Sequence, residues 1–133
     1  MVDLGARAAG YTAPGQYCQF RVGEDSKPAF IAIASAPGQP VELLVKAQGG
    51  TSDQLCRLRA GDRLECSPVM GGGFPLDQAP PADFDTLLLF ATGSGISPVR
   101  ACIESGALRA AERQAVKLYY GVRGTAFDPV KER

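Results

Sequence analysis

Histidine is missing altogether from the 133 residues. That absence excludes Ser-His and Cys-His catalytic pairs, histidine-ligated metals and histidine pH switches together. Net charge is missing too: 14 basic and 14 acidic residues cancel, so no global field draws the chain to nucleic acid or to an anionic membrane. No apolar run approaches the roughly 20 residues that span a bilayer. Residues 1–10 also lack the basic-then-apolar layout of a secretory signal. The expectation is a chain with no membrane span and no nucleic-acid partner. Close cysteine spacing is lacking as well. Cys18, Cys56, Cys66 and Cys102 stand far apart with no C-x-x-C, which argues against a zinc site or a disulfide framework. They read as small core residues whose free thiols suit a reducing, soluble compartment. No metal ligand is expected.

What is present is 45% hydrophobic, enough for one sizeable core or two small ones. Over residues 17–22, Cys18, Phe20 and Val22 alternate with Tyr17, Gln19 and Arg21, the pattern of a half-buried strand. Ile31 and Ile33 suit a second strand over 29–35, which the turn at Pro37-Gly38-Gln39-Pro40 closes. Val41, Leu43 and Val45 then alternate with Glu42, Leu44 and Lys46 as a third. Tight turns between the three imply an antiparallel sheet or barrel. Gly49-Gly50 breaks the pattern, and Ser52 is placed as N-cap of a short helix with Leu55 and Leu58 on one side. Residues 63–67 read as another strand, 68–75 as a glycine-rich loop and 78–83 as a proline-rich linker.

Beyond the linker the period changes. Residues 86–91 form a continuous apolar run, as in a strand of a parallel sheet covered on both faces. A glycine-rich turn follows, Ser97-Pro98 supplies an N-cap and a first-turn proline for a helix to about Glu104, and residues 116–120 make a second buried strand. The expected fold class is β plus α/β: an antiparallel β-barrel over residues 1–82, then a truncated parallel β-α-β unit over 83–133.

A glycine-rich turn between a buried strand and a helix lets backbone N–H groups approach an anion at the positive end of the helix. Gly93, Ser94, Gly95, Ile96 and Pro98 are therefore candidates for holding a phosphate, and Gly49, Gly50, Thr51 and Ser52 are a second set. Taken singly, ordinary turn geometry and helix capping explain each motif better. Their order, one in each unit, favours two phosphate sites.

The ordered segments Tyr11-Thr12-Ala13-Pro14-Gly15-Gln16-Tyr17, Leu44-Val45-Lys46 leading into Gly49-Gly50-Thr51-Ser52, residues 88–98, and Tyr119-Tyr120-Gly121-Val122-Arg123 resemble the ferredoxin-NADP reductase superfamily. The match is collinear over most of the chain. It is most similar to a plant and algal branch of FAD/NAD(P)-binding oxidoreductases, in which Lys27-Pro28-Ala29-Phe30 and Ala32-Ile33-Ala34-Ser35 have counterparts. The resemblance implies an FAD-binding barrel, a Rossmann-like NAD(P)-binding unit, and hydride transfer from nicotinamide to the flavin. By motif, Gly49, Gly50, Thr51 and Ser52 are expected at the flavin diphosphate and Ala32, Ile33, Ala34 and Ser35 beside the flavin. Gly93, Ser94, Gly95, Ile96 and Pro98, together with Gly121 and Arg123, are expected at the nicotinamide nucleotide. No catalytic side chain is assigned. A chloroplast location is implied by the branch alone.

The chain departs from the family where Arg-x-Tyr-Ser is usual, with Ala29, Ile31 and Ala32 at the three named positions. An alanine neither donates a hydrogen bond nor offsets a diphosphate charge, which leaves Lys27 as the candidate replacement cation. The strand that precedes Val2 in the family and the segments that follow Arg123 have no counterpart here, so a partial chain is expected. Pro68 to Phe74 resembles the family's Gly-Pro-x-Gly-x-Phe loop, with Phe74 either flanking the cofactor or anchoring a loop. The leading expectation is a flavin-dependent oxidoreductase that uses NAD(P)H and passes electrons to an unknown acceptor. The alternatives are a non-catalytic subunit of a larger assembly and a nucleotide-sensing module.

Overall fold

The computed structural model describes residues 1–123. Strand β1 (Tyr17–Arg21) is central to a three-stranded antiparallel sheet, flanked by β2 (Ala29–Ala32) and β3 (Glu65–Cys66). The alternation in β1 is what fixes the core. Cys18 and Phe20 are fully buried and pack with Leu4, Tyr11, Ile33 and Val41, while the half-buried Ile31, Leu43, Leu55 and Val69 close around them. Isolated bridges join Val2 to Val41, Ile33 to Leu43 and Tyr17 to Met70. The expected barrel is therefore present as an antiparallel sheet with satellites, and among the described residues its ladders do not close. The third expected strand, over 41–45, is reduced to the two bridges at Val41 and Leu43. Pro37 and Pro40 lack the N–H donors that a continuous ladder at this edge requires.

One glutamine ties the start of β1 to a distant loop. Gln16 Oε1 accepts from the N–H groups of Thr12 (2.8 Å) and Ala13 (3.0 Å), and its Nε2 donates to the Gly71 carbonyl (2.9 Å). The Gly71 loop then docks on the Pro14 turn, with Phe74 N–H donating to the Pro14 carbonyl at 2.8 Å. Gly73 has φ +77, and an added Cβ there would stand 2.7 Å from the Ala13 Cβ. The close approach demands glycine. The main chain at Phe74 thus anchors the loop, while its side chain is 42% exposed.

Helix α1 (Thr51–Arg57) starts after Gly50, so Ser52 lies inside the helix and Gly50 takes the cap position. Leu55 and Leu58 are half-buried, as their spacing predicts. Cys56 on the same helix is exposed, which corrects the reading of all four cysteines as core residues: Thr51 is the buried residue of this short helix. Cys18 and Cys102 are buried and all four thiols are free. Burial pushes Cys18 up to about 12 and Cys102 up to about 11, so both stay protonated and inert at neutral pH.

Strands β4 (Thr86–Thr92) and β5 (Ala115–Gly121) pair in parallel, from Thr86 opposite Ala115 to Thr92 opposite Gly121. Helix α2 (Ile96–Glu104) crosses between them and buries Ser97, Val99, Ala101 and Cys102. Among the described residues nothing covers the other face of the ribbon, where Phe90 and Tyr119 stack with centroids 5.2 Å apart. Both strands read as buried on two faces, whereas α2 covers one. Within the first unit the Tyr11 hydroxyl donates to the Ser35 carbonyl at 2.7 Å. Burial, and then the nearby Cys102 and Glu104, raise this phenol to about 12, keeping it a donor. Arg100 of α2 also reaches Glu42 at 2.7 Å while bonding Glu104.

The proline-rich connector is held by Arg113. Its guanidinium donates to the carbonyls of Leu108 (2.8 Å), Ala79 (2.5 Å) and Phe84. Lysine retains the charge but not the fork. Arg113→Lys is expected to lower stability by about 1–3 kcal/mol, read as a lower thermal midpoint; an unchanged midpoint would mean that water satisfies those carbonyls equally well.

Candidate functional site

A cleft of about 350 Å³ lies between β2 and the turn into α2. One wall is β2, Ala29 to Ala32, continued by Leu44, Val45, Lys46, Gln48 and Ser52; the other is the turn into α2, with Ser94, Gly95, Ser97 and Pro98. Among the described residues Lys46 is the one charged residue that lines the cleft, and no carboxylate does. The cleft therefore favours an anion.

The approach to α1 is ordered by its own side chains. Ser52 Oγ accepts from the Gln48 N–H (3.0 Å) and donates to the Gly49 carbonyl (2.8 Å), while Asp53 accepts from the Gly49 N–H (2.8 Å). Thr51 donates its hydroxyl to the Lys27 carbonyl at 2.5 Å. Its donor faces the protein. Lys27 is not among the lining residues, and Lys46 is the cation that is.

On the opposite wall, a 3₁₀ turn over Gly93–Gly95 runs directly into α2. Ser97, expected as N-cap, sits instead within the first turn and makes no capping bond. It is 2% exposed, and among the described residues its Oγ has no hydrogen-bond partner. An orphaned buried hydroxyl costs about 1–3 kcal/mol. A polar ligand atom in the cleft would offset that. Gly95 has the ordinary helical φ of −62°, and an added Cβ would meet nothing within 4 Å. Neither backbone nor packing explains this glycine, so the space beside it is available to a ligand.

The candidate residues divide accordingly. Ala32, Ser52, Ser94, Gly95 and Pro98 come together in the cleft. Ile33 and Ala34 are buried, and Ser35 Oγ accepts from the Glu42 N–H at 3.0 Å, so these three support the wall from behind. Gly49 and Gly50 lie just before α1 with φ of +90 and +59, Gly93 accepts from Tyr120 OH at 3.0 Å, and Ile96 opens α2. Gly121 lines a separate depression with Phe90, Ala91, Thr92, Tyr119 and Tyr120, and Arg123 is exposed at the end of the described residues. Phe30, Lys46, Gln48 and Ser97 were not singled out for the cleft by sequence. The face of Phe30 follows only from the register, which sets it opposite Gln19 on the outer side of β1.

No protein-family model matches the chain. It is similar to the fruit protein pKIWI502 of Actinidia deliciosa, 36% identical over 92% of this chain and 42% of that protein. It is also similar to the electron transfer subunit of dihydroorotate dehydrogenase B (NAD(+)) from Shouchella clausii, at 29% identity over 71% of this chain and 39% of that protein. The chain thus spans under half the length of both relatives. Among solved structures, the Amycolatopsis cytochrome P450 reductase GcoB superposes with a TM-score of 0.65 at 27% identity, over 86% of this chain and 36% of that one. A ferredoxin-NADP+ reductase from Neisseria gonorrhoeae, solved with bound FAD and NADP, gives 0.64 at 21% identity over 87% and 48%. The chain has the fold of these reductases, and its relatives support the ferredoxin-NADP reductase superfamily.

Proposed function

We propose that this chain is the flavin-holding part of an NAD(P)H-dependent oxidoreductase, in which residues 1–82 carry FAD and residues 83–133 begin the nicotinamide-binding unit. One observation supports the reading above the others: two phosphate-type motifs, separate in sequence, line the same cleft through Ser52 on one wall and Ser94 and Gly95 on the other. The residues fit such a ligand. Lys46 supplies a positive charge, the Ser97 hydroxyl is a buried donor without a partner among the described residues, and Gly95 leaves room for close approach. A bound flavin supplies the hydride-accepting ring. The chain's part is to hold diphosphate charge with Lys46 and the backbone N–H groups around Ser52, and to admit the nicotinamide nucleotide beside Gly95. Ala32 has no hydroxyl to offer, so any side-chain hydrogen bond to a ring edge in this cleft falls to other residues, with Ser97 the buried candidate. The likeness to an Actinidia protein supports a plant-type branch, for which we propose a plastid location.

The test is spectroscopic. FAD should bind with a perturbed visible band that NADH or NADPH bleaches. Gly95→Ala should leave the fold intact or stabilise it by about 0.4–1 kcal/mol, since the helical backbone angle suits alanine, yet weaken nicotinamide nucleotide binding about ten-fold by filling the approach. Unchanged nucleotide affinity in that variant would remove Gly95 from the site.

A second reading draws on the open β4–β5 face, where Phe90 is 71% and Tyr119 52% exposed. Such a face suits a subunit seated in a larger assembly, and a relative bears the name electron transfer subunit. FAD titration separates a flavin-loaded subunit from a non-catalytic one, since the latter leaves free FAD fluorescence unquenched.

A further inference from the structure

Strand β2 runs Ala29-Phe30-Ile31-Ala32, all apolar, so its own sequence does not say which side faces the core. The register does. Phe20 lies opposite Ala29 and Cys18 opposite Ile31, while Gln19 lies opposite Phe30 and Tyr17 opposite Ala32. Residues directly opposite share a face, and Cys18 and Phe20 are fully buried. Ile31 is therefore turned toward the core, against which it packs half-buried, and it reaches the cleft only at the wall's edge beside Phe30. Phe30 and Ala32 stand on the outer face with Tyr17 and Gln19.

Phe30 is 66% exposed although it lines the cleft. Tyr17 packs against it at a centroid distance of 6.0 Å and an interplanar angle of 53°, which steadies the ring without covering it. Ala32, two residues along on the same face, leaves a shallow space beside the ring. A large apolar ring held in water by a neighbour is an unfavourable arrangement that a flat apolar ligand relieves.

We infer that Phe30, and not Ile31, is the side chain against which the planar ring of the bound cofactor lies, with Tyr17 as the residue that positions it. The inference rests on the flavin reading above, because the occupant it names is the isoalloxazine ring of FAD. The cleft's charge agrees with that occupant: among the described residues Lys46 lines it and no carboxylate does, as a ligand joining an apolar ring to a diphosphate requires.

The experiment compares Phe30→Ala, Phe30→Trp and Ile31→Val in the purified protein, each titrated with FAD and followed by flavin fluorescence and thermal melting. Phe30→Ala should weaken FAD about ten-fold, the loss of one stacking contact and its buried area, with the melting temperature of the apoprotein unchanged because Phe30 is mostly exposed. Phe30→Trp should retain affinity and quench the bound flavin's fluorescence more deeply than the parent, since an indole in contact with the ring is an efficient electron donor. Ile31→Val should lower the melting temperature and leave FAD affinity within about two-fold. If the parent binds FAD but Phe30→Ala matches it and Phe30→Trp adds no quenching, the inference is overturned and the flavoprotein reading stands. If the parent binds no FAD, the flavoprotein reading fails and the inference fails with it.

Discussion

Replacing Phe20 with alanine should cost about 3–5 kcal/mol, against a total of about 5–15 kcal/mol for a typical folded protein. Phe20 is fully buried at the centre of the antiparallel sheet, opposite Ala29 on one side and Cys66 on the other. Its neighbours cannot collapse into the space left, because Cys18 and Ile33 are themselves held by ladder and bridge hydrogen bonds. The variant is expected to melt far below the parent and to lose the cleft, whose β2 wall rests on this ring. The control is Phe90→Ala. Phe90 is the same residue type, but it is 71% exposed on the open face, and its loss should shift stability by only about 0.5 kcal/mol. Similar melting curves for the two variants would show that the core is not where the burial pattern puts it.

Ser52→Asp is expected to separate folding from binding. An aspartate at this point can still accept the Gln48 N–H that Ser52 accepts at 3.0 Å, and a carboxylate in the first turn of a helix is stabilising by about 0.3–1 kcal/mol. The fold should be unharmed. Ser52 also lines the cleft together with Lys46. A new negative charge there partly cancels the lysine and repels a diphosphate by roughly 1–4 kcal/mol at 4 Å, depending on solvent access. FAD should bind about ten-fold more weakly or worse, and raised salt should narrow the gap between variant and parent. Equal affinity at low salt would place the diphosphate away from α1.

What could be read from sequence, and what could not, follows from how local the determining interactions are. The β4-α2-β5 unit was legible because an apolar run, a glycine turn and a second apolar run are each set by neighbours in sequence; the structure extends those elements by a residue or two at their ends. The face of Phe30 was not, since all four residues of β2 are apolar and only pairing with β1 decides it. Closure of the barrel depends equally on distant partners, and at residues 41 and 43 those partners make single bridges. The Thr51 hydroxyl and Ser97 show the same limit at the level of one atom. Their residue types suit anion binding, but a carbonyl 24 residues away takes the first and an early helix start displaces the second from its cap.

The tie between Gln16 and Gly71, 55 residues apart, also sets an order of assembly. As the chain leaves the ribosome, β1 emerges more than 40 residues before its partner β3 and the loop that grips Gln16. Until then the hairpin of β1 and β2 has its buried face, Cys18 and Phe20, open to water along one edge. Contacts so far apart are slow to close. By contrast, β4 and β5 are joined by a single helix crossover and pair within one short stretch of synthesis. Within the antiparallel unit β1 is thus made first and fully paired last, and in a nascent chain that ends between residues 32 and 65 its apolar face is the exposed, aggregation-prone surface.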